Sequence, residues 1–303
     1  MERTPYDKKT QISTPMKAAG AFTTSMLVVV IAYFCMGIIT AAYGVEKLEN
    51  NIVYFFARYL VISLSLIIGS LIVYKRQKLL FSDVTEVKFD YKYLIVILFV
   101  SVGALFGLSG LNDYFVAFLQ KFGYVPDMVT LPDKTPLNVI LCVAIIALIP
   151  AITEEFLFRG LVLKGSLWLG NIPAVLISAA AFSLYHTSPS QTIYQFVIGV
   201  IYAVIATTSG SVIPTIVIHF LNNFIIIIFN YYLPDFLLTG GLKIASVVLG
   251  VLLVAAGLLI SLKGVKFFGK NEKKEKSDVL EYFLTVAPGF LICIVLWVAN
   301  LFA

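Results

Sequence analysis

The chain reads as an all-α, polytopic transmembrane bundle of about eight or nine spans, with a polar cavity among its central helices. Composition predicts the class first. Sixty per cent of the 303 residues are hydrophobic, 13% are charged and the mean hydropathy is +0.95. A soluble domain carries about 25% charged residues, so this chain cannot cover a water-facing surface. The apolar runs are continuous and of bilayer-crossing length, roughly 17–25 residues, as transmembrane helices require. They lack the period-two alternation of a transmembrane barrel.

Hydropathy places spans at residues 22–44, 52–74, 93–111, 137–165, 172–187, 191–208, 211–232, 242–262 and 281–302. Residues 1–21 form a polar tail, expected to be cytoplasmic. The first span is long and lacks a small-residue cleavage site, so it is expected to stay as an anchor. Residues 22–135 then hold the N-terminal transmembrane helices. The fourth span is long enough to tilt and project from the bilayer. The fifth is short and ends at the tight break "HTSPSQ", so it either crosses fully or forms a partial-depth hairpin. Residues 136–235 are expected to form the core and residues 236–303 the C-terminal helices. "FGYVPDMVTLPDKTP" reads as an ordered external loop and "GKNEKKEKSDVLE" as a solvated charged one.

A net charge of +5 raises nucleic acid as a partner, but basic residues in a membrane protein chiefly record topology. With the N-terminus in the cytoplasm and every span crossing, 17 of the 22 basic residues fall in cytoplasmic segments. Lys47, Lys121, Lys134 and Lys243 fall outside, and Arg58 lies within the second span. No nucleic-acid partner is therefore expected. Cys35, Cys142 and Cys293 all lie in apolar spans without a CxxC spacing and read as core residues.

Charged groups at membrane depth are costly, by roughly 2.5–3.5 kcal/mol each on insertion scales, and so mark function by default. Of 17 acidic residues, 15 fall in loops, tails or span ends; the exceptions are Glu154 and Glu155 in "ITEEFLFRG". Both histidines of the chain, His186 and His219, lie in apolar surroundings. Residues four apart share a helix face, so Arg159 can neutralise Glu155 while Glu154 turns toward another partner. His219 and Asn223 share a face in the same way and can together offer hydrogen-bond donors to a developing oxyanion. Singly, each has an ordinary reading: a structural ion pair, a satisfied core histidine, an asparagine holding two helices together. Together they point to a site.

Three segments carry a resemblance, in order: EExxxR as "EEFLFR" (154–159), FxxxH as "FSLYH" (182–186) and HxxxN as "HFLNN" (219–223). The chain resembles the family of CAAX prenyl proteases and bacteriocin-processing enzymes, also called the Abi family, over about residues 137 to 235. The resemblance implies an intramembrane endopeptidase. It casts Glu154 as the base that activates a water, with His186 as its partner. It makes His219 and Asn223 the oxyanion pocket, and Glu155 and Arg159 the supporting pair.

A glutamate-dependent mechanism without a cofactor is favoured. Zinc is the alternative, and Glu154, His186 and His219 would be its ligands; against it, there is no HExxH helix, and Asn223 suits an oxyanion better. The expected partners are membrane lipid and a peptide or lipid-anchored protein substrate. The short loops suggest a bacterial cell membrane. His219 lies about eight residues into its span, roughly 12 Å deep, so the cavity is expected to open to the cytoplasm. A non-catalytic immunity or scaffold protein that binds a peptide or membrane partner is the main rival. A proton-coupled transporter is a lesser one, since no repeated halves are evident.

Overall fold

The structure, a computed structural model, describes residues 15–49, 51–76, 89–126, 130–234, 238–267 and 276–301. All regular elements among them are helices. They are α1 (Pro15–Tyr43), the short α2 (Val45–Glu49), α3 (Ile52–Arg76), α4 (Lys92–Gln120) and α5 (Pro136–Leu169). Then follow α6 (Asn171–Tyr185), α7 (Thr192–Ser209), α8 (Ile213–Tyr232), α9 (Gly240–Leu262) and α10 (Lys276–Leu301). Eight of these are long and apolar enough to cross a membrane, and the chain is an integral membrane protein. The helix α6 has 15 residues, about 22 Å of rise against about 30 Å of bilayer hydrocarbon. By length alone it falls short of a full crossing.

The polarity of the bundle is inverted relative to a soluble domain. Leu94, Leu98, Leu252, Leu259 and Leu291 face outward and are exposed, whereas Glu155 and Arg159 are wholly buried. Backbone groups in hydrocarbon must be satisfied within the segment, and helices do this. Close approach is achieved where side chains are missing. A Cβ on Gly250 of α9 would overlap the backbone of Gly107 in α4, so the two helices touch there through their main chains.

Polar contacts between helices define the two ends of the bundle. At one, Tyr124 donates to Ser190 (3.4 Å), Tyr231 to the Pro132 carbonyl (3.0 Å) and Trp297 to Thr192 (2.7 Å). At the other, Lys92 Nζ donates to the Lys263 carbonyl (2.9 Å) and Asn171 to that of Phe267 (2.8 Å). The first is called here the His186 end, the second the lysine end.

Several boundaries differ from the sequence expectation. The first helix begins at Pro15, inside the expected tail; proline is well placed in a first turn, where its missing N–H leaves no bond unmade. The third span runs on to Gln120 rather than ending at residue 111. Asp113, read as a loop residue, sits within α4 and accepts from Lys243 Nζ of α9 at 2.8 Å. Cys35 is exposed on the outer surface, while Cys142 and Cys293 are buried as expected. Residues 1–14 of the tail, 127–129 of the proline-rich loop and 269–275 of the charged loop lie outside the described residues.

Candidate active site

The site begins with two irregular stretches of α5. Residues Val143–Leu148 and Phe156–Leu163 are π-helical, a form with i→i+5 bonding that recurs at functional sites. Widening a helix redirects carbonyls, and neighbouring helices take them up. Ser178 of α6 donates to the Phe158 carbonyl at 2.9 Å. Pro150 has no N–H for the carbonyl four residues back, that of Ile146. Asn223 Nδ2 comes to 3.5 Å of that oxygen, at the outer limit of a hydrogen bond. Irregular backbone thus couples α5 to both helices that carry the other polar residues.

Glu155 and Arg159 form a fully buried pair, Nη1 to Oε1 at 3.0 Å. The guanidinium also donates through Nη2 to the Gly199 carbonyl of α7 at 3.3 Å. It lies 4.3 Å from the ring centre of Phe182 and 5.2 Å from that of Tyr202. Gly199 permits this because α7 runs hard against Ala179 of α6, where a Cβ would come to 3.1 Å of a main-chain atom. The same Oε1 of Glu155 accepts from His219 Nδ1 at 3.0 Å. Spacing along the helix predicts the arginine pair; it does not reveal that Glu155 also reaches a histidine 64 residues away.

Glu154 points elsewhere. Its Oε2 lies 3.9 Å from His186 Nε2 and 3.9 Å from His219 Nε2, and it has no hydrogen-bond partner among the described residues. Each histidine is fixed from behind. His186 caps α6, whose last carbonyls lack helical partners, and its Nδ1 lies 2.7 Å from the Phe182 carbonyl oxygen. Thr187 follows with φ at +50°, a conformation strained for a β-branched residue. Its carbonyl is held by Asn300 Nδ2 of α10 at 2.9 Å. Carbonyl and carboxylate oxygens only accept, so both Nδ1 atoms carry hydrogens, and in the neutral rings both Nε2 atoms present lone pairs toward Glu154.

These groups head a cavity of about 350 Å³, the low end of ligand-pocket sizes. Asn223, on the face of His219, lines it, as do Asn222, Tyr194, Gln191 and Gln195. Tyr194 donates to Asn222 Oδ1 at 2.9 Å, and Asn222 Nδ2 lies 3.4 Å from Asn223 Oδ1. This relay, with Pro150, is missed by motif reading; the signal was a tyrosine and two glutamines opening an apolar helix. All six residues expected at the site are brought together: Glu154, Glu155, Arg159, His186, His219 and Asn223. The expected opening was measured from the start of α8, and the walls run from there toward the other end of the bundle. They extend from Glu154 along α5 toward Ile146, and from His219 along α8 toward Ile227, that is, toward the His186 end. The expectation measured depth from one helix alone, and the cavity leads away from the boundary it used.

As the side chains lie, no three His, Cys, Asp or Glu among the described residues stand close enough together to hold a metal ion. Two ligands of one tetrahedral zinc, each about 2.0–2.2 Å from the metal, would lie about 3.4 Å apart. Glu154 Oε2 and each histidine Nε2, 3.9 Å apart, would have to draw in by about half an ångström.

Residues 136–225, 90 of the 303, match the family model of the type II CAAX prenyl endopeptidases, Rce1-like. The match contains all six site residues. No curated protein and no solved structure matches the chain.

Proposed function

From a chain whose residues 136–225 belong to the CAAX prenyl endopeptidase family, we propose an intramembrane endopeptidase that hydrolyses peptide bonds with a glutamate-activated water. The family suggests a protease acting in the membrane; the roles below are this chain's own residues read from their geometry. One observation carries the reading. An unpartnered carboxylate oxygen, Glu154 Oε2, faces two Nε2 atoms at 3.9 Å each, at the head of a cavity. That separation is too long for a direct hydrogen bond and suits a bridging water.

A water held there gives one hydrogen to Glu154 and the other to an Nε2, which leaves its lone pairs free to attack. The water oxygen bonds to the scissile carbonyl carbon as Glu154 takes its proton. The carbonyl π electrons move to oxygen, and Asn223 Nδ2 donates to the resulting oxyanion. On collapse the C–N bond breaks, and Glu154 returns the proton to the leaving amine. Glu155, neutralised by Arg159, keeps the His219 ring in one tautomer, as the buried carboxylate does in serine-protease triads.

The residues that would hold a zinc ion are Glu154, His186 and His219, and bound zinc would polarise the water and the scissile carbonyl. The metal-free reading is preferred, because the donors come from three helices rather than one HExxH turn and because Asn223 stands beside His219. The test is purified protein in detergent or liposomes with a library of apolar peptides, read by mass spectrometry. Cleavage by the native chain and none by Glu154→Gln is the expected result. Cellular function that survives Glu154→Gln would instead favour a scaffold that binds a peptide without cutting it.

A further inference from the structure

The cavity and the charges are both asymmetric along the bundle, and the two asymmetries oppose each other. The cavity walls begin at Glu154 and run one way only. On α5 they comprise Ile146 and Pro150, which precede Glu154; on α8 they comprise Asn222, Asn223 and Ile226, which follow His219. On α3 they are Tyr59 to Ser63, near its start, and on α7 they reach from its first turn no further than Tyr202. All these half-helices meet at the His186 end, where Gln191 and Ile226 are exposed. Toward the lysine end the floor is closed by the buried Arg159 against the Gly199 carbonyl, Phe182 and Tyr202.

The connections that the sequence runs between the helix ends there are the ones rich in basic residues. Lys75, Arg76, Lys78, Lys88 and Lys92 bracket the connection from α3 to α4. Lys164 stands near the end of α5, and Lys263, Lys266, Lys270, Lys273, Lys274 and Lys276 bracket the connection from α9 to α10. The His186 end has Lys47, Lys121, Lys134 and Lys243, and Arg58 stands beside the wall residue Tyr59 on the same half of α3. Twelve basic residues thus face five, with the N-terminal tail left out of the count. Cytoplasmic loops carry the excess of Lys and Arg, which makes the lysine end cytoplasmic.

We infer that the site opens to the non-cytoplasmic face of the membrane and takes from that face a stretch of polypeptide that is uncharged and apolar. This rests on the peptidase reading above. The substrate class follows from the walls. Gln191, Gln195, Tyr194 and Asn222 offer neutral donors and acceptors to peptide groups, while Ile62, Ile226 and Ile227 offer apolar contact. Glu154 is the one Asp, Glu, Lys or Arg among the lining residues described. An acidic side chain drawn in would lose its hydration beside Glu154, and a basic one would pair with the carboxylate that must act as base.

Single cysteines test the sidedness without reference to activity, in the full-length protein with Cys35→Ala; Cys142 and Cys293 are buried. A membrane-impermeant maleimide is expected to label Lys47→Cys and Gln191→Cys fully in intact cells, and Lys263→Cys only after permeabilisation. Labelling of Lys263→Cys with protection of Lys47→Cys overturns the inference, as does protection of Gln191→Cys when Lys47→Cys is labelled. Sealed vesicles supply the second arm. An apolar peptide added outside right-side-out vesicles is expected to be cut by the native chain and not by Glu154→Gln. Cutting only in inside-out vesicles overturns the sidedness and leaves the peptidase reading intact. No cutting in either orientation, with the labelling pattern as expected, overturns the peptidase reading and the substrate class with it.

Discussion

His219 Nδ1 and Glu155 Oε1 lie 3.0 Å apart and join α8 to α5. The carboxylate fixes which ring nitrogen carries the hydrogen, and so decides what Nε2 presents to Glu154. Glu155→Gln keeps the shape of the side chain but no longer dictates that tautomer, because an amide both donates and accepts. A kcat lowered roughly 10–100-fold, the usual scale for a residue that orients a histidine ligand or base, with KM little changed, is the expected outcome in steady-state peptide cleavage.

Glu154 differs from its neighbour in having no cation of its own. Replacing it with glutamine removes the base and should lower kcat/KM by about 10²–10⁴-fold. The glutamine amide oxygen can still accept from the Tyr185 hydroxyl beside it, so the melting temperature in detergent should hold or rise. A collapse in melting temperature would show that Glu154 is structural and would sink its role as the base.

Arg159 is the case in which stability should suffer. Arg159→Ala strands a buried carboxylate and is expected to destabilise the protein by about 3–5 kcal/mol. Arg159→Lys keeps the charge but loses the planar stack on Phe182 and the fork that reaches both Glu155 and Gly199. Its melting temperature should fall between native and alanine. Equality of the lysine variant with the native protein would contradict the stacking role.

The oxyanion reading makes Asn223 and Pro150 unequal. Asn223→Ala should lower kcat by about 10²–10³-fold, the scale of losing one oxyanion donor. Pro150→Ala restores an N–H that competes with Asn223 for the Ile146 carbonyl. Its loss of kcat should be smaller, and Pro150→Ala combined with Asn223→Ala should be no worse than Asn223→Ala alone.

Metal removal separates the two mechanisms. Dialysis against a strong chelator should leave cleavage within twofold of the untreated enzyme. Loss of activity that added zinc restores would replace the metal-free mechanism with one in which Glu154, His186 and His219 are ligands.

The helices were legible because apolar length is a one-dimensional signal, and the six candidate residues could be picked out because polar groups stand out against lipid-soluble surroundings. What escaped was geometry between helices. The end of α4 was misjudged because Asp113 looks like a loop residue until Lys243 of a distant helix pairs with it. The bond between Glu155 and His219 was hidden because spacing along α5 ranks only partners on α5. The Tyr194–Asn222–Asn223 relay was missed for the same reason: its members are ordinary helix residues until α7 is laid against α8. The direction of the cavity needed all of its walls at once.

The cavity has a further consequence for a peptidase that works in it. In a helical substrate the scissile carbonyl is hydrogen-bonded within the helix and ringed by side chains, and Glu154 stands at the head of a cavity rather than on an open surface. A segment must therefore unwind before Glu154 can reach it. Local melting of the substrate becomes a step in turnover, and glycine or proline beside the scissile bond should speed cutting even where no side chain is recognised. Such an enzyme reads the conformational stability of a chain before it reads the sequence.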